Sequence, residues 1–168
     1  MSNPEPMADV AYIGLGSNLA EPAEQIDSAR QEIKALDRVE EIAFSSMYRS
    51  PPMGPQDQPD YINAVMAVRT SLTPIELLRQ LQAIENHHGR VRGKRWGART
   101  LDLDLLLYGK RQISEADLVV PHPGISERAF VLYPLQEIAE ADLLIPGYGV
   151  LKELVRQCPL AGLHKIKS

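Results

Sequence analysis

The stretch YINAVMAVRTSLTPIELLRQLQAIENHH, residues 61–88, predicts a β-strand over 61–69 that is followed closely by an amphipathic α-helix. Alternate residues of a strand share a face, so one face carries Tyr61, Asn63, Val65 and Ala67 and the other carries Ile62, Ala64, Met66 and Val68. The segment Thr73-Pro74-Ile75-Glu76 has the pattern of a capping box with proline at the first helical position. The helix that it starts runs to about His88, and its apolar side consists of Leu77, Leu78, Leu81 and Ile84.

Further elements are predicted on both sides of this stretch. They are a strand at 9–15, a helix from Pro22, strands at 42–49 and 101–108, a short helix after Ser126 and a final amphipathic segment near 149–157. The resulting order β-α-β-β-α-β, with extra pieces at the C-terminus, is typical of an α+β fold. We therefore expect a ferredoxin-like sandwich in which a mainly antiparallel sheet is flanked by helices.

Length and composition narrow the possible functions. The 168 residues, of which 44% are hydrophobic, favour a single domain over residues 1–168, with residues 1–8 as a disordered tail. A net charge of −4 argues against a nucleic-acid-coating protein. No apolar run approaches the roughly 18 residues that span a membrane, and the N-terminus lacks the pattern of a signal peptide. Because Cys158 is the single cysteine, we expect a cytoplasmic protein without a disulfide framework.

The segment RTLDLDLLLYG, residues 99–109, carries the sharpest chemical signal. In a strand, Asp102 and Asp104 point to one side and lie about 7 Å apart, while Leu101, Leu103 and Leu105 point to the core. Two carboxylates so placed repel each other unless a cation lies between them, and oxygen ligands on a strand suit Mg²⁺ that also binds substrate phosphates. The alternative is a solvated strand face that happens to be acidic.

A glycine-rich loop collects cations just before this strand. It contains Gly89, Gly93 and Gly97, and between them Arg90, Arg92, Lys94 and Arg95, with no acidic residue. Arginines that clamp phosphates beside carboxylates that hold Mg²⁺ are the components of phosphoryl transfer. Trp96 suggests a lid that closes over a ligand, whereas the alternative is a solvated flexible loop. A phosphate-binding P-loop motif is absent from the sequence, and Gly14-Leu15-Gly16 is too short for a dinucleotide fingerprint.

A proline-rich loop, SPPMGPQDQPDYINA at residues 50–64, is expected to be stiff because proline fixes the backbone. Such a loop suits recognition of the edge of a flat heterocycle, with Tyr61 as a stacking ring and Asn63 as a bidentate amide. A structural turn with a buried tyrosine is the alternative. His122, between Pro121 and Pro123, is a further candidate for a phosphate contact, although most histidines in such segments are structural.

Taken together, these segments resemble the 6-hydroxymethyl-7,8-dihydropterin pyrophosphokinases of folate biosynthesis. The resemblance runs from YIGLGSN at residues 12–18 through both loops to RTLDLDLLLYG and to PHPGISERAF at residues 121–130. It implies a monomeric enzyme that transfers the pyrophosphoryl group of ATP to the hydroxymethyl oxygen of the pterin and releases AMP. It also implies two Mg²⁺ ions, with ATP and the pterin as the only partners and neither nucleic acid nor membrane.

The resemblance assigns roles to individual positions. The catalytic group is Arg90, Arg99, Asp102 and Asp104, of which the two aspartates hold the Mg²⁺ ions. The pterin site consists of Ser50, Pro51, Met53, Tyr61, Asn63, Trp96 and Phe130, with Tyr61 and Phe130 on the two sides of the ring. The ATP site consists of Gln82, Glu85, Arg92, Arg95, Trp96, Arg99, Leu105, His122 and Arg128. Three positions depart from one branch of the family, where an Arg, a Thr and a Tyr contribute to the nucleotide site: Asp117, Val119 and Pro123.

Two other functions remain open from the sequence. One is a non-catalytic regulator that binds nucleotide or pterin and has kept the fold, against which the aspartate pair argues. The other is a metal-dependent nuclease or nucleotidyl transferase, for which a more basic surface than a net charge of −4 is expected. An assay for AMP release with and without the pterin separates the three functions.

Overall fold

The computed structural model of the chain describes residues 9–18, 21–51, 60–88, 101–160 and 162–166. Four helices are present in these ranges: α1 (Pro22–Lys34), α2 (Pro74–His87), α3 (Ala129–Ile138) and α4 (Leu151–Gln157). The strands there are β1 (Asp9–Ser17), β2 (Val39–Phe44), β3 (Tyr48–Ser50), β4 (Tyr61–Thr70), β5 (Leu101–Tyr108), β6 (Ile113–Ser114), β7 (Val119–Val120), β8 (Leu144–Ile145), β9 (Gly149–Val150) and β10 (His164–Lys165). The predicted α+β class is confirmed.

Strand β4 is the centre of the main sheet. Its whole length pairs antiparallel with β1, from Asp9 opposite Thr70 to Ser17 opposite Ile62. Its other edge pairs with β2 and then with β3. The strand order is β10-β3-β4-β1-β5, with β2 beside β4, and all of these pairings are antiparallel. Strand β5 therefore lies at the outer side of β1.

Helices cover both faces of this sheet, because each face carries apolar side chains that must be removed from water. On one face, α1 and α2 pack through Ile26, Ile33, Leu77 and Leu81 onto the inner residues of β1, β4 and β5. On the other face, α3 and α4 pack through Leu132, Leu135 and Leu151 onto Val65, Leu106 and Leu107. The alternation predicted for β4 is confirmed, since residues of both sets are buried and Tyr61 at the start of the strand is half-buried.

The predicted strand at 42–49 is divided into β2 and β3 in the structure. Residues Ser45, Ser46 and Met47 separate the two, and the register with β4 shifts by one residue across the break. The Ser45 hydroxyl accepts a hydrogen bond from the backbone N–H of Val65 at 2.9 Å, in place of a main-chain carbonyl. The short helix predicted after Ser126 is α3, which begins at Ala129, and a 3₁₀ turn at Ile125–Glu127 precedes it.

Several predictions concern residues outside the described ranges. These are the tail at 1–8, most of the proline-rich loop, the glycine-rich cationic loop, and the site residues Met53, Arg90, Arg92, Arg95, Trp96 and Arg99. They remain predictions. Within the ranges described above, none of the helices has both the length and the apolar character needed to cross a membrane.

The capping box predicted at the start of α2 is confirmed. The Thr73 hydroxyl accepts a hydrogen bond from the backbone N–H of Glu76 at 3.2 Å, and the Glu76 carboxylate accepts one from the backbone N–H of Thr73 at 2.9 Å. These bonds satisfy donors that have no partner inside the helix. They also lower the pKa of Glu76, because the backbone N–H of Thr73 stabilises the carboxylate.

We expect Thr73→Ala to lower the free energy of unfolding by about 1 kcal/mol, because the side-chain oxygen of the cap is lost. Thr73→Ser is the matched control, since it keeps the hydroxyl. Urea unfolding followed by circular dichroism measures both. Equal stability of Thr73→Ala and the parent protein would contradict the role of the cap.

Glu137 connects α3 to the far edge of the sheet. It accepts hydrogen bonds from the Ser46 backbone N–H at 2.7 Å and from the Tyr48 hydroxyl, and it pairs with Lys165 at 2.9 Å. Partial burial by itself would raise the pKa of Glu137, but these partners outweigh it and hold the pKa below its ordinary value. Burial and the same contact raise the pKa of Tyr48.

A carboxyl group with a lowered pKa in the folded state stabilises the fold above its unfolded pKa, and this contribution is lost as the pH falls through the folded pKa. We therefore expect Glu137→Gln to be destabilising by about 1 kcal/mol at pH 7, and we expect the difference to shrink towards pH 3. Glu115→Gln, at an exposed position, is the control. Urea unfolding at several pH values measures the difference, and a constant value over this range would show that the Glu137 contacts do not depend on its charge.

Candidate active site

At one end of the sheet, residues of the three neighbouring strands β5, β1 and β4 lie opposite one another. Asp102 lies opposite Gly16, and Asp104 lies opposite Gly14. Gly16 in turn lies opposite Asn63 on β4. Because strands are about 4.8 Å apart, Asp102, Gly16 and Asn63 form one row across the sheet. The two aspartates and the asparagine lie on the face that is covered by α3.

The glycines of β1 keep this face open. A Cβ atom on Gly16 would lie 2.9 Å from Oδ1 of Asn63, closer than side chains pack. A Cβ atom on Gly14 would meet Leu106 Cδ1 at 3.4 Å, which is an ordinary contact. Any side chain at position 16 would therefore fill the space between the aspartate on one side and the amide on the other.

The open space is a cavity of about 240 Å³. Eight of the predicted site residues line it: Ser50, Pro51, Tyr61, Asn63, Asp102, Asp104, Arg128 and Phe130. These residues come from positions as far apart as 50 and 130 in the chain. The structure thus brings the two predicted aspartates and much of the predicted heterocycle site to one cavity.

Asn63 and Ser50 form a buried polar pair in this cavity. The Asn63 amide nitrogen donates to the Ser50 hydroxyl at 2.9 Å, and both residues are buried. Strands β3 and β4 pair with Ser50 opposite Tyr61 and with Tyr48 opposite Asn63, so Ser50 and Asn63 are diagonal neighbours on the two strands. A buried amide held in this way keeps a fixed orientation, because rotation would break its hydrogen bond. It can present its remaining polar groups to a ligand.

The two aspartates are half-buried and alternate with core residues, as the sequence predicts. Leu101, Leu103 and Leu105 are buried on the opposite face, between the sheet and α1 and α2. Between the aspartates, the backbone N–H of Leu103 donates to the carboxylate of Glu85 on α2 at 2.7 Å. That bond satisfies a donor on the outer edge of β5 and fixes the strand that carries both aspartates.

Arg128 and Phe130 enter the cavity at the start of α3. The Arg128 guanidinium carbon lies 5.7 Å from the centre of the Phe130 ring, within the range of a cation–π contact. Both side chains are half-buried. This part of the cavity therefore has an aromatic surface and a positive charge, which suits a flat ligand that continues into an anionic group.

Other residues predicted to bind ATP lie elsewhere. Leu105 is buried in the core on the face opposite the aspartates, and Glu85 is buried at the edge of β5. Gln82 is exposed on α2 and accepts a hydrogen bond from Arg79 at 3.0 Å. The predicted nucleotide contacts of these residues stay predictions.

His122 follows the strand pair β6–β7. Its backbone N–H donates to the carbonyl of Leu106 at 3.0 Å, which ties the segment to β5. Its side-chain Nδ1 is buried and has no hydrogen-bond partner in the part of the chain that the structure describes. A buried polar atom of this kind suits a ligand contact, and the predicted contact of His122 with ATP stays a prediction.

The three positions that depart from the family branch lie near this segment. Asp117 pairs with Arg79 of α2 at 2.7 Å, while Val119 and Pro123 are exposed. Arg79 of α2 thus places a positive charge beside Asp117.

The sequence analysis missed the role of the glycines in β1. Gly14 and Gly16 line the cavity together with Leu15, Ala64 and Val131. The signal is present in YIGLGSN, because glycines two residues apart in a strand leave one face without side chains. When Gly14 and Gly16 are tested only as part of a dinucleotide-binding motif, they do not indicate this cavity.

Comparison with known proteins identifies the family. The sequence model of the family described as 7,8-dihydro-6-hydroxymethylpterin-pyrophosphokinase (HPPK) matches residues 12–140. A 2-amino-4-hydroxy-6-hydroxymethyldihydropteridine pyrophosphokinase of Haemophilus influenzae is 52% identical over 73% of this chain and 76% of its own length. The Pseudomonas aeruginosa protein of the same name is 48% identical over 95% of this chain and 98% of its own length.

The fold also matches a solved structure. The wild-type Plasmodium falciparum HPPK-DHPS with pteroate has a TM-score of 0.71 and 12% identity, and the match covers 93% of this chain. This chain spans 43% of the Plasmodium chain, so the likeness concerns the fold of that part alone. On the family match and the two bacterial relatives, the chain belongs to the 7,8-dihydro-6-hydroxymethylpterin-pyrophosphokinase family.

Proposed function

We propose that the cavity between Asp102 and Asn63 is where this chain transfers the pyrophosphoryl group of ATP to 6-hydroxymethyl-7,8-dihydropterin. As a member of its family, the chain is a pyrophosphokinase of folate biosynthesis that uses Mg²⁺ and ATP. The observation that carries the assignment to this cavity is its lining, because two carboxylates and a buried amide face the same space. A site that only bound a neutral heterocycle would have no use for paired carboxylates.

The amide side of the cavity suits the pterin. Tyr61 and Phe130 are half-buried rings at its wall, and a flat heterocycle stacks favourably between aromatic side chains. Asn63, held by Ser50, offers amide groups to the polar edge of the heterocycle. Asp102 and Asn63 are two strands apart, roughly 10 Å. Because the polar edge of the pterin lies at Asn63, its hydroxymethyl group points towards the aspartates.

The aspartate side suits Mg²⁺ and the triphosphate. Asp102 and Asp104 would hold the metal, because their side chains are half-buried, lie on one face and offer only oxygen ligands. We assign two Mg²⁺ ions to this pair of carboxylates, which would hold them against the triphosphate oxygens. When bound, Mg²⁺ offsets the charge of the triphosphate oxygens.

Positioning is the main contribution of the protein to the reaction. The hydroxymethyl group is a weak nucleophile, so the rate depends on holding it in line with the β-phosphorus of ATP. Asn63 and Ser50 fix the angle of the pterin, while Arg128 places a positive charge near the same ring. The proposal gives Arg92, Arg95, His122 and Arg128 to the triphosphate, and Arg90 and Arg99 to the transfer step.

We also propose that the chain acts as a cytoplasmic monomer. The described residues of one copy of the chain form the cavity together, so the proposal invokes no second copy. Cys158, the single cysteine, is buried as a free thiol, which suits a reducing compartment. Size-exclusion chromatography with light scattering tests whether the chain is a monomer.

Asp104→Ala is expected to lower the rate of AMP release by about 100-fold or more. The variant would hold Mg²⁺ less well, and the charge of Mg²⁺ that offsets the triphosphate would be lost. The fold should persist, since the core contacts of β5 come from Leu101 and Leu103. Asp142→Asn, at an exposed position, is the control. A coupled assay for AMP with and without the pterin measures the rate. Near-normal turnover of Asp104→Ala with Mg²⁺ as the only divalent ion would contradict the assignment.

Gly16→Ala is expected to weaken binding of 6-hydroxymethylpterin by about tenfold. The new Cβ atom displaces the Asn63 amide, and a lost hydrogen bond to Ser50 costs about 1 kcal/mol or slightly more. Gly14→Ala lies on the same strand face, but its Cβ atom meets only Leu106 at contact distance, so a smaller loss is expected. Calorimetry with a non-hydrolysable ATP analogue present measures both, and equal losses would disprove a specific role of Gly16.

A further inference from the structure

A cluster of three potential metal ligands lies outside the cavity, where α1 meets the end of α2. Glu32 belongs to α1, His87 is the last residue of α2, and His88 follows it. Nδ1 of His87 lies 2.9 Å from Oε1 of Glu32, and Nε2 of His88 contacts Oε2 of the same carboxylate. The three donor atoms lie within 4.8 Å of one another.

We propose that Glu32, His87 and His88 form a zinc site that joins α1 to the end of α2. Two imidazole nitrogens and one carboxylate oxygen are ligands that Zn²⁺ binds in proteins, usually with a fourth ligand that here would be water. Mg²⁺ prefers sites made of oxygen alone. This site therefore differs in its chemistry from the aspartate pair.

A fourth residue sets the orientation of one histidine. Nδ1 of His88 lies 2.9 Å from the side-chain oxygen Oε1 of Gln25, an acceptor. That contact requires the proton on Nδ1, and it turns Nε2 towards Glu32. Metal-binding histidines in proteins have this arrangement, in which one ring nitrogen donates to a carbonyl and the other is left for the ion. Gln25 is therefore a positioning residue of the site.

The burial of the three side chains fits an ion that enters from solvent. His88 is fixed and only 8% exposed, Glu32 is 28% exposed and His87 is 76% exposed. An ion at about 2.1 Å from each ligand needs donor atoms roughly 3.4 Å apart. His87 is exposed and Glu32 is partly exposed, so both side chains can move to reach that spacing while the buried His88 keeps its place. The open side leaves room for the water.

The site also has a place in the fold. On α2, Glu85 lies just before His87 and binds the backbone N–H of Leu103 between the two aspartates. A zinc ion would add a link from α1 to the same end of α2. The competing interpretation is an ion-pair cluster without metal, in which protons lie between the histidines and Glu32. Burial raises the pKa of Glu32, but its hydrogen bonds to the two histidines outweigh burial and lower the pKa.

Zinc binding to the tag-free protein, measured by competition with a chromophoric chelator, tests the proposal. We expect one equivalent of Zn²⁺ to bind, and a millimolar excess of Mg²⁺ not to displace it. Glu32→Gln, His87→Gln and His88→Gln should each lower the affinity at least tenfold. His164→Gln, at an exposed histidine on β10, is the matched control and should bind as the parent protein does.

Cobalt provides a second measurement that does not depend on affinity alone. Bound Co²⁺ should give the visible absorption bands of a four-coordinate ion, and these should disappear in Glu32→Gln/His88→Gln. Gln25→Ala should lower the zinc affinity between 10- and 100-fold and shift the Co²⁺ bands, whereas a purely structural role would leave the bands unchanged. Circular dichroism of each variant checks the fold.

Two results would overturn the proposal. One is zinc affinity of Glu32→Gln/His88→Gln equal to that of the parent protein, which would place the ion elsewhere. The other is absence of zinc binding by the folded parent protein, which would assign the cluster to ion pairing. Neither result bears on pyrophosphoryl transfer, because none of these residues lines the cavity.

Discussion

Strand β4 is buried on both faces and paired along both edges, and the position of the active site follows from that constraint. A slip of one residue would exchange the side chains that face α1 and α2 with those that face α3. Both sets are mainly apolar and differ in shape, so the register opposite β1 is fixed. Because that register is fixed, Asn63 meets Gly16, and Gly16 meets Asp102 on the next strand. The row that joins the two proposed substrates is thus a consequence of core packing.

The aspartates need a second constraint, because β5 pairs with β1 on one side only. An outward N–H group at such an edge loses water when a helix covers it, and an unpaired buried donor costs about 1–3 kcal/mol. Glu85 of α2 removes this cost at Leu103. Its carboxylate also gains a hydrogen bond that its own burial makes necessary. The strand between Asp102 and Asp104 is therefore held from both sides, which limits how far the two carboxylates can move apart.

Local signals made much of this structure predictable from the sequence. The alternation in β4 and β5, the capping box at Thr73 and the start of α1 at Pro22 each depend on neighbouring residues, and each is confirmed. The break between β2 and β3 was missed, because it depends on a side-chain bond from Ser45 to a distant strand. The juxtaposition of Phe130 with Tyr61 followed only from the resemblance to the family, since no local pattern joins residues so far apart. The cluster at Glu32 shows no pattern along the chain at all, because two helices supply it.

The fold places different ligand chemistries on its two faces, and this separation affects which ion binds where. Imidazole nitrogen binds zinc-like ions far better than Mg²⁺, while a pair of carboxylates on a strand is suited to hard cations and accepts further oxygen ligands from a triphosphate. Zinc at low concentration would occupy the site at Glu32, His87 and His88 before it reached the aspartates. The aspartates would remain available to Mg²⁺ at its higher concentration. A nitrogen-rich site on α1 and α2 is then compatible with Mg²⁺-dependent chemistry at the opposite face of the same sheet.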